Sequence, residues 1–294
     1  MKNYNFLTLK GLLIILYSAL LSPAEAASAM SWNYLYKISK GPSLGYIMGG
    51  AHVGPVGATV SNCVLDYFDK SKLFIIEANP FDSFSQASDG FIPKSLDIIE
   101  KMESSERDYW IAKFKQANIN QNTDVMSAFL RISNKFSPKS IVKLTSNSGT
   151  DVQLTSRAFD NFMKVGYLEK ASTQMKYFQN VSIPGWISTF NEYKMWIEDK
   201  NFQSEKITNG INFFSAVMSG DETKLIVSDD LEPYEMAILT PRNSGLADRM
   251  DEILTKHGDY PIFFLLGAAH LPGNNGIIKL LRTKGFNIER VCEN

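Results

Sequence analysis

One frame, used twice, constrains this chain more than any other feature. Near the front it reads Tyr46-Ile-Met-Gly49-Gly50-Ala51-His52-Val53-Gly54, and near the end Phe264-Leu-Leu-Gly267-Ala-Ala-His270-Leu271-Pro272-Gly273. Each copy is a short apolar run, then Gly-x-x-His, then an apolar residue and a nearby glycine. The 294 residues hold three histidines, and two of them sit in this frame. The match continues past the histidines. A helical pattern over 59–68 leads to an apolar strand over 73–76 that ends at Glu77, and a helical pattern over 276–282 leads to a strand over 286–291. A strand–GxxH–helix–strand unit therefore stands at both ends. Two copies are too few for a solenoid. They predict two halves of one sheet with a long insertion between them. The expected fold class is α/β (α+β): a central mixed sheet, helices on both faces, and a helical insertion over about 92–209.

The pattern also suggests chemistry. Ligands of open α/β sheets bind beyond the carboxyl ends of the strands. The motif glycines Gly49 and Gly267 allow close approach there, and His52 and His270 follow at the rim. Imidazole is a frequent metal ligand and general base. Glu77 closes the next strand. Two histidines and one carboxylate make an open site for a divalent ion such as Mn, Co or Zn. A single GxxH is also explained by a strand-end histidine bonded to a backbone carbonyl, and the repetition of the frame favours the site. No HExxH or DxDxDG motif is present.

Composition excludes little except a nucleic-acid partner. With 44% hydrophobic residues, 21% charged residues and a net charge of -1, the chain is ordinary globular material without a basic field. Residues 1–29 read as an export leader. Lys2 and Lys10 precede or open an apolar run over 11–21, too short to span a bilayer, and Ala24-Glu25-Ala26 forms a cleavage site, with Ala27-Ser28-Ala29 as a second option. No lipobox cysteine follows. The mature chain, about 30–294, is expected to be one domain, periplasmic or secreted, with no stable membrane anchor; an uncleaved leader would instead tether it. In an oxidising compartment Cys63 and Cys292 are a candidate disulfide that would tie the two repeat halves together, or else one buried and one exposed thiol.

The remaining segments have readings of their own. Trp32, Tyr34 and Tyr36 alternate with Asn33, Leu35 and Lys37, which predicts a hairpin over 32–48 turning at Lys40-Gly41-Pro42-Ser43. The Ser- and Phe-rich loop up to Gly90 is a lid or a connector. In the insertion Trp110, Ile111 and Phe114 keep helical spacing, Thr123 caps a helix bearing Met126, Phe129 and Leu130, and Trp186, Phe190, Tyr193 and Ile197 form a stripe. That stripe is core or a peptide groove. Tyr167-Leu168-Glu169 reads as a short strand returning to the sheet, with Glu169 a second site carboxylate or a surface acid. A helix over 244–256 ends at His257 and Gly258, where the histidine suits the helix dipole rather than a site. Arg242 and Asn243 precede that helix, placed to hold a substrate carboxylate or an oxyanion, or only to fix a loop.

Taken together, the paired GxxH motifs and the strand-end glutamate resemble the TraB/GumN/Tiki family. Other matching stretches, in order, are Leu35-Tyr36-Lys37-Ile38, Gly149-Thr-Asp151 through Ala158, Leu168-Glu169 with Gln174, Gly220-Asp221, Arg242-Asn243, and Gly267 to Gly273 with Gly276 and Lys284-Gly285. The first motif departs by reading Gly-Gly-Ala-His, and Tyr36 stands where the family has tryptophan. The resemblance implies a metal-dependent hydrolase acting on peptide bonds without HExxH. His52 and His270 would bind the ion, Glu77 would be ligand or base, and Arg242 and Asn243 would position the substrate. The competing expectation is a non-catalytic protein that sequesters a peptide or small ligand.

Overall fold

The computed structural model describes residues 31–78, 90–136, 144–225 and 233–293. The leader and nearly all of the loop after Glu77 lie outside them. Six strands form the central sheet: β1 (Leu35–Lys40), β2 (Ser43–Gly50), β3 (Leu73–Ala78), β4 (Lys164–Glu169), β5 (Ile262–Gly267) and β6 (Asn287–Val291). Across the sheet the order is β6-β1-β2-β5-β3-β4, and β1 alone runs against the others. The helices, in chain order, are α1 (Asn62–Lys70), α2 (Ser95–Ile99), α3 (Ser104–Gln116), α4 (Val125–Phe136), α5 (Thr150–Asp160), α6 (Ala171–Tyr177), α7 (Ile183–Glu198), α8 (Lys200–Ser219), α9 (Glu222–Leu225), α10 (Pro233–Lys256) and α11 (Ile277–Thr283). This is the expected mixed sheet flanked by helices, with the two repeat strands β2 and β5 side by side.

Both faces of the sheet are covered. On one, Phe68 of α1 meets Phe74 and Phe263 edge-on, with ring centroids 5.1 and 5.0 Å away. On the other, α10 brings Leu254 so close to Gly45 that a Cβ there would lie 3.0 Å from Leu254 Cδ2. This coverage explains why the aromatic alternation at 32–37 does not become alternating burial. Leu35 and Tyr36 of β1 are both buried, as strands sandwiched between helices are, and Trp32, Asn33 and Tyr34 ahead of the strand are buried as well. The hairpin is β1–β2, and Gly41 takes φ 57 at its turn. Trp32 belongs to a separate parallel pairing of Ser31–Trp32 with Thr59–Val60.

A second hydrophobic core lies within the helical stretch. Trp110, Phe114, Phe129, Trp186, Phe190 and Tyr193 gather there, with Phe129 and Tyr193 stacked at 4.2 Å. The 186–197 stripe is thus mainly core. The insertion also returns to the sheet, because β4 pairs with β3 in parallel, while α5 and the end of α8 pack into the sheet core.

Several boundaries move for local reasons. α1 begins at Asn62 rather than Thr59 because the Ser61 hydroxyl accepts from Val64 N and caps the helix. Asp124, not Thr123, caps α4, accepting from Ser127 N at 2.9 Å. α10 begins at Pro233 and runs through Pro241, so Arg242 and Asn243 lie inside a helix and not at its start. His257 follows the last turn of α10 and pairs through Nδ1 with the Tyr260 hydroxyl at 3.1 Å. Gly258 is required there by the closeness of Ser43, whose Oγ would lie 2.8 Å from a Cβ.

Candidate active site

The site is built where β2 and β5 end. In the parallel register Gly50 faces Gly267, and Gly49 faces Leu266. The two GxxH motifs are therefore offset by one residue, and their histidines enter different surroundings. A Cβ on Gly49 would fall 2.3 Å from the Tyr34 ring, and one on Gly50 would fall 2.1 Å from Thr150 Oγ1. Both glycines let other elements close on the strand end. Thr150 uses that closeness. Its hydroxyl accepts from Ala51 N at 3.0 Å, and its own N–H donates to Ala51 O at 3.0 Å. The start of α5 is thereby hung on the exit of β2, and the next residue, Asp151, meets the next histidine. His52 Nδ1 lies 2.9 Å from Asp151 Oδ2.

Because Asp151 offers only acceptors, the proton on that contact belongs to Nδ1, and the free ring nitrogen of His52 is Nε2. The side chain is 62% exposed. The Asp151 charge, helped by its hydrogen bond, raises the His52 pKa to about 9. Glu77 adds to this rise and Arg242 opposes it, so His52 stands within the field of the deeper groups.

His270 is buried. It sits in a 3-10 turn, Ala268–His270, directly after β5. Asn243 of α10 donates Nδ2–H to Asn275 O at 2.8 Å, which turns its Oδ1 to His270 Nδ1 at 2.5 Å. His270 Nε2 faces Glu77 Oε1 at 3.6 Å. With Nδ1–H committed to Asn243, a neutral His270 points a lone pair at a carboxylate. That contact becomes favourable only with a proton or a cation in it.

Glu77, buried near the end of β3, is held from several sides. Oε1 accepts from Arg242 and from Gln174 Nε2 at 2.8 Å, and Oε2 accepts from Gly267 N at 3.0 Å. Burial would raise its pKa, but the charges of His270 and Arg242 outweigh this and hold the carboxyl well below the usual range. Arg242 is shared between Glu77 and Glu169, with its NH2 2.5 Å and its Nε 3.1 Å from Glu169 Oε1. One guanidinium thus bridges the buried Glu77 and the half-buried Glu169 carboxylates.

The structure brings His270, Glu77, Arg242, Asn243 and Glu169 into one network of hydrogen bonds and ion pairs, with His52 inside its electrostatic field. Gly49 shapes the strand end, and Gly267 gives its N–H to Glu77. Cys63 and Cys292 are joined, Cα to Cα 5.7 Å, and link α1 to the end of β6. Arg242 and Asn243 have contacts that position Glu77 and His270. Asp151, Thr150 and Gln174 join the site although the sequence gives none of them a role there beyond standing in stretches that carry the resemblance. The His52–Asp151 pairing spans 99 positions, and nothing in spacing announces it.

Among the described residues, no group of three or more His, Cys, Asp and Glu stands assembled as a metal cage. The donor chemistry still fits a divalent ion. Each histidine has its Nδ1 fixed by an oxygen acceptor and presents Nε2, the usual arrangement for ligating histidines. Glu77 retains one unused lone pair on Oε2.

The model of the TraB/PrgY/gumN family matches residues 34–290. The chain belongs to the TraB/PrgY/gumN family. A stretch of 79 residues is 29% identical to a protein named Metalloprotease TIKI1 from Homo sapiens, covering 26% of this chain and 15% of the human protein. The same identity and shares hold for Metalloprotease TIKI2 from Xenopus tropicalis. The matched part is thus a small portion of those relatives. No solved structure matches the chain. No helix among the described residues is long and apolar enough to cross a membrane.

Proposed function

We infer that this family member is an exported hydrolase of peptide bonds that depends on a divalent metal. One observation carries the reading. His52 and His270 leave adjacent parallel strands with Nδ1 anchored on Asp151 and Asn243, and their Nε2 atoms are left to act. The names of the two relatives support peptide bonds as the target. His52 and His270 would hold the ion, with Glu77 as the third donor through its remaining lone pair. Bound there, a divalent ion would supply Lewis acidity, polarising a carbonyl and making water a better nucleophile at neutral pH.

The protein's own groups have distinct parts. His52 is the exposed member and meets substrate first. Glu77 stays ionised because Arg242 and His270 surround it, which suits a metal ligand and makes it a weak base. Arg242 and Asn243 are positioning residues. The first holds Glu77 in place, and the second fixes the His270 ring. Export is supported by the leader-like segment before residue 30 and by the Cys63–Cys292 bond, which belongs in an oxidising compartment.

The engagement of both Glu77 oxygens favours a second reading, a binder that holds a peptide without cutting it. Mass spectrometry of a defined peptide mixture, incubated with the mature protein and added manganese, cobalt or zinc, separates the two. The hydrolase reading predicts cleavage that is lost with chelator and in His52→Ala, with the circular dichroism spectrum unchanged. Peptides retained by the protein but uncut with every ion would establish the binder instead.

A further inference from the structure

The outer flank of the sheet, beside the candidate site, carries two features that the fold itself does not use. The first is a strained, exposed aromatic. α5 ends with paired hydrogen bonds from Phe162 N to Phe159 O and from Met163 N to Ala158 O. This closure puts the residue after the cap in the left-handed region, where glycine is the usual choice. Here that residue is Phe162, with φ 51, and its side chain is 95% exposed. A phenylalanine is thus held in an unfavourable backbone conformation while burying almost nothing. It is not isolated. Phe159 and Val152, seven residues apart on one side of α5, are 59% and 43% exposed. The apolar stripe begins one residue after Asp151, the partner of His52.

The second feature is β4. It is the edge strand, paired with β3 on one side and with no strand on the other among the described residues. It starts two residues after Phe162 and ends at Glu169, which reaches Arg242. α5 descends from the strand ends to Phe162, and β4 climbs back to them. A strand edge with no strand partner among the described residues is thus joined by a three-residue turn to a helix with an exposed apolar face, and both lead to the same rim. An unpaired edge recognises one chemistry, an extended backbone, and alternate side chains of an added strand lie on one face.

We propose that an extended peptide with apolar residues at alternate positions docks along β4 against Phe162 and Phe159, and is led from there to the rim bearing His52. The inference rests on the peptide reading of the site and names how such a substrate is held. Bare apolar surface alone would suit a second copy of the chain equally well. The adjoining hydrogen-bonding edge and its continuity with the site select the peptide.

The test uses fluorescence anisotropy with the mature, chelator-treated protein and a fluorescein-labelled decapeptide of alternating valine and threonine. A second decapeptide carries N-methyl groups on alternate amides, which blocks strand addition. The proposal predicts saturable binding of the first peptide and at least about ten-fold weaker binding of the second. Phe162→Gly is predicted to keep or raise Tm, because glycine suits φ 51, yet to weaken binding by about five-fold or more. Absence of binding to the wild type would overturn the proposal, as would equal binding of the two peptides or full affinity in Phe162→Gly. A lower Tm in Phe162→Gly would mark a structural role, and dimerisation abolished by that substitution would mark a self-contact; each overturns it too. If the peptide binds as predicted and no ion leads to its cleavage, the hydrolase reading fails and the docking edge stands.

Discussion

His52 and His270 carry the same motif and meet opposite surroundings, because a one-residue offset in the β2–β5 register separates them. His270 is buried on Asn243, and His52 is open on Asp151. The motif was plain in the sequence; the offset was not, since register is set by packing across strands distant in the chain. Arg242 shows the same limit. Its charge suggested a contact to substrate, but only the fold reveals that Glu77 and Glu169 occupy it. The Asp151 contact makes a prediction with a definite sign. It raises His52 from 6.5 to about 9 in the folded protein. The contact therefore stabilises fully below the unfolded value and is lost as pH rises through the folded one. Asp151→Asn should lower stability in urea titrations at about pH 6 and leave it nearly unchanged at about pH 10, with the His52 ring resonances titrating near the ordinary value of about 6.5. An equal loss at both pH values would show that Asp151 acts by packing and not by charge.

At the scale of elements, the repeated unit predicted two halves of one sheet, and the side-by-side placement of β2 and β5 positions the site. It did not show that α10 starts at Pro233 and passes through Pro241. In sequence Pro241 reads as a boundary, and only packing along the sheet carries the helix through it. The strand at 164–169 was partly visible through Tyr167-Leu168-Glu169, whereas the two cores that divide the helical stretch depend on contacts between segments far apart, such as Phe129 with Tyr193. The Cys63–Cys292 bond ties α1 of the front unit to the end of the back unit across 229 positions. Closing so long a loop restricts the unfolded chain strongly. Replacing both cysteines with serine should reduce unfolding free energy by about 2–4 kcal/mol in guanidinium titrations. No residue of the site network takes part in the bond, so metal affinity should persist in the folded variant. A variant as stable as the parent would show that the bond adds nothing to what the sheet already enforces.

For the whole molecule, the two ends of the chain close on each other to make one sheet, and the long helical stretch between them packs partly on that sheet and partly on itself. The family frame was legible because it rests on short local motifs. The buried network of Glu77, Arg242, Glu169 and Gln174 was not, because each member comes from a different element. The account as a whole claims that this closure creates a place for a divalent ion between two histidines. Isothermal titration calorimetry of the mature protein with manganese, cobalt and zinc, beside the His52→Ala/His270→Ala double variant, tests that claim most directly. The account predicts stoichiometric binding of at least one ion, with proton release near neutral pH because His52 must give up its proton, and loss of binding in a double variant that remains folded. No binding of any ion by the wild type, or undiminished binding by the folded double variant, would contradict it.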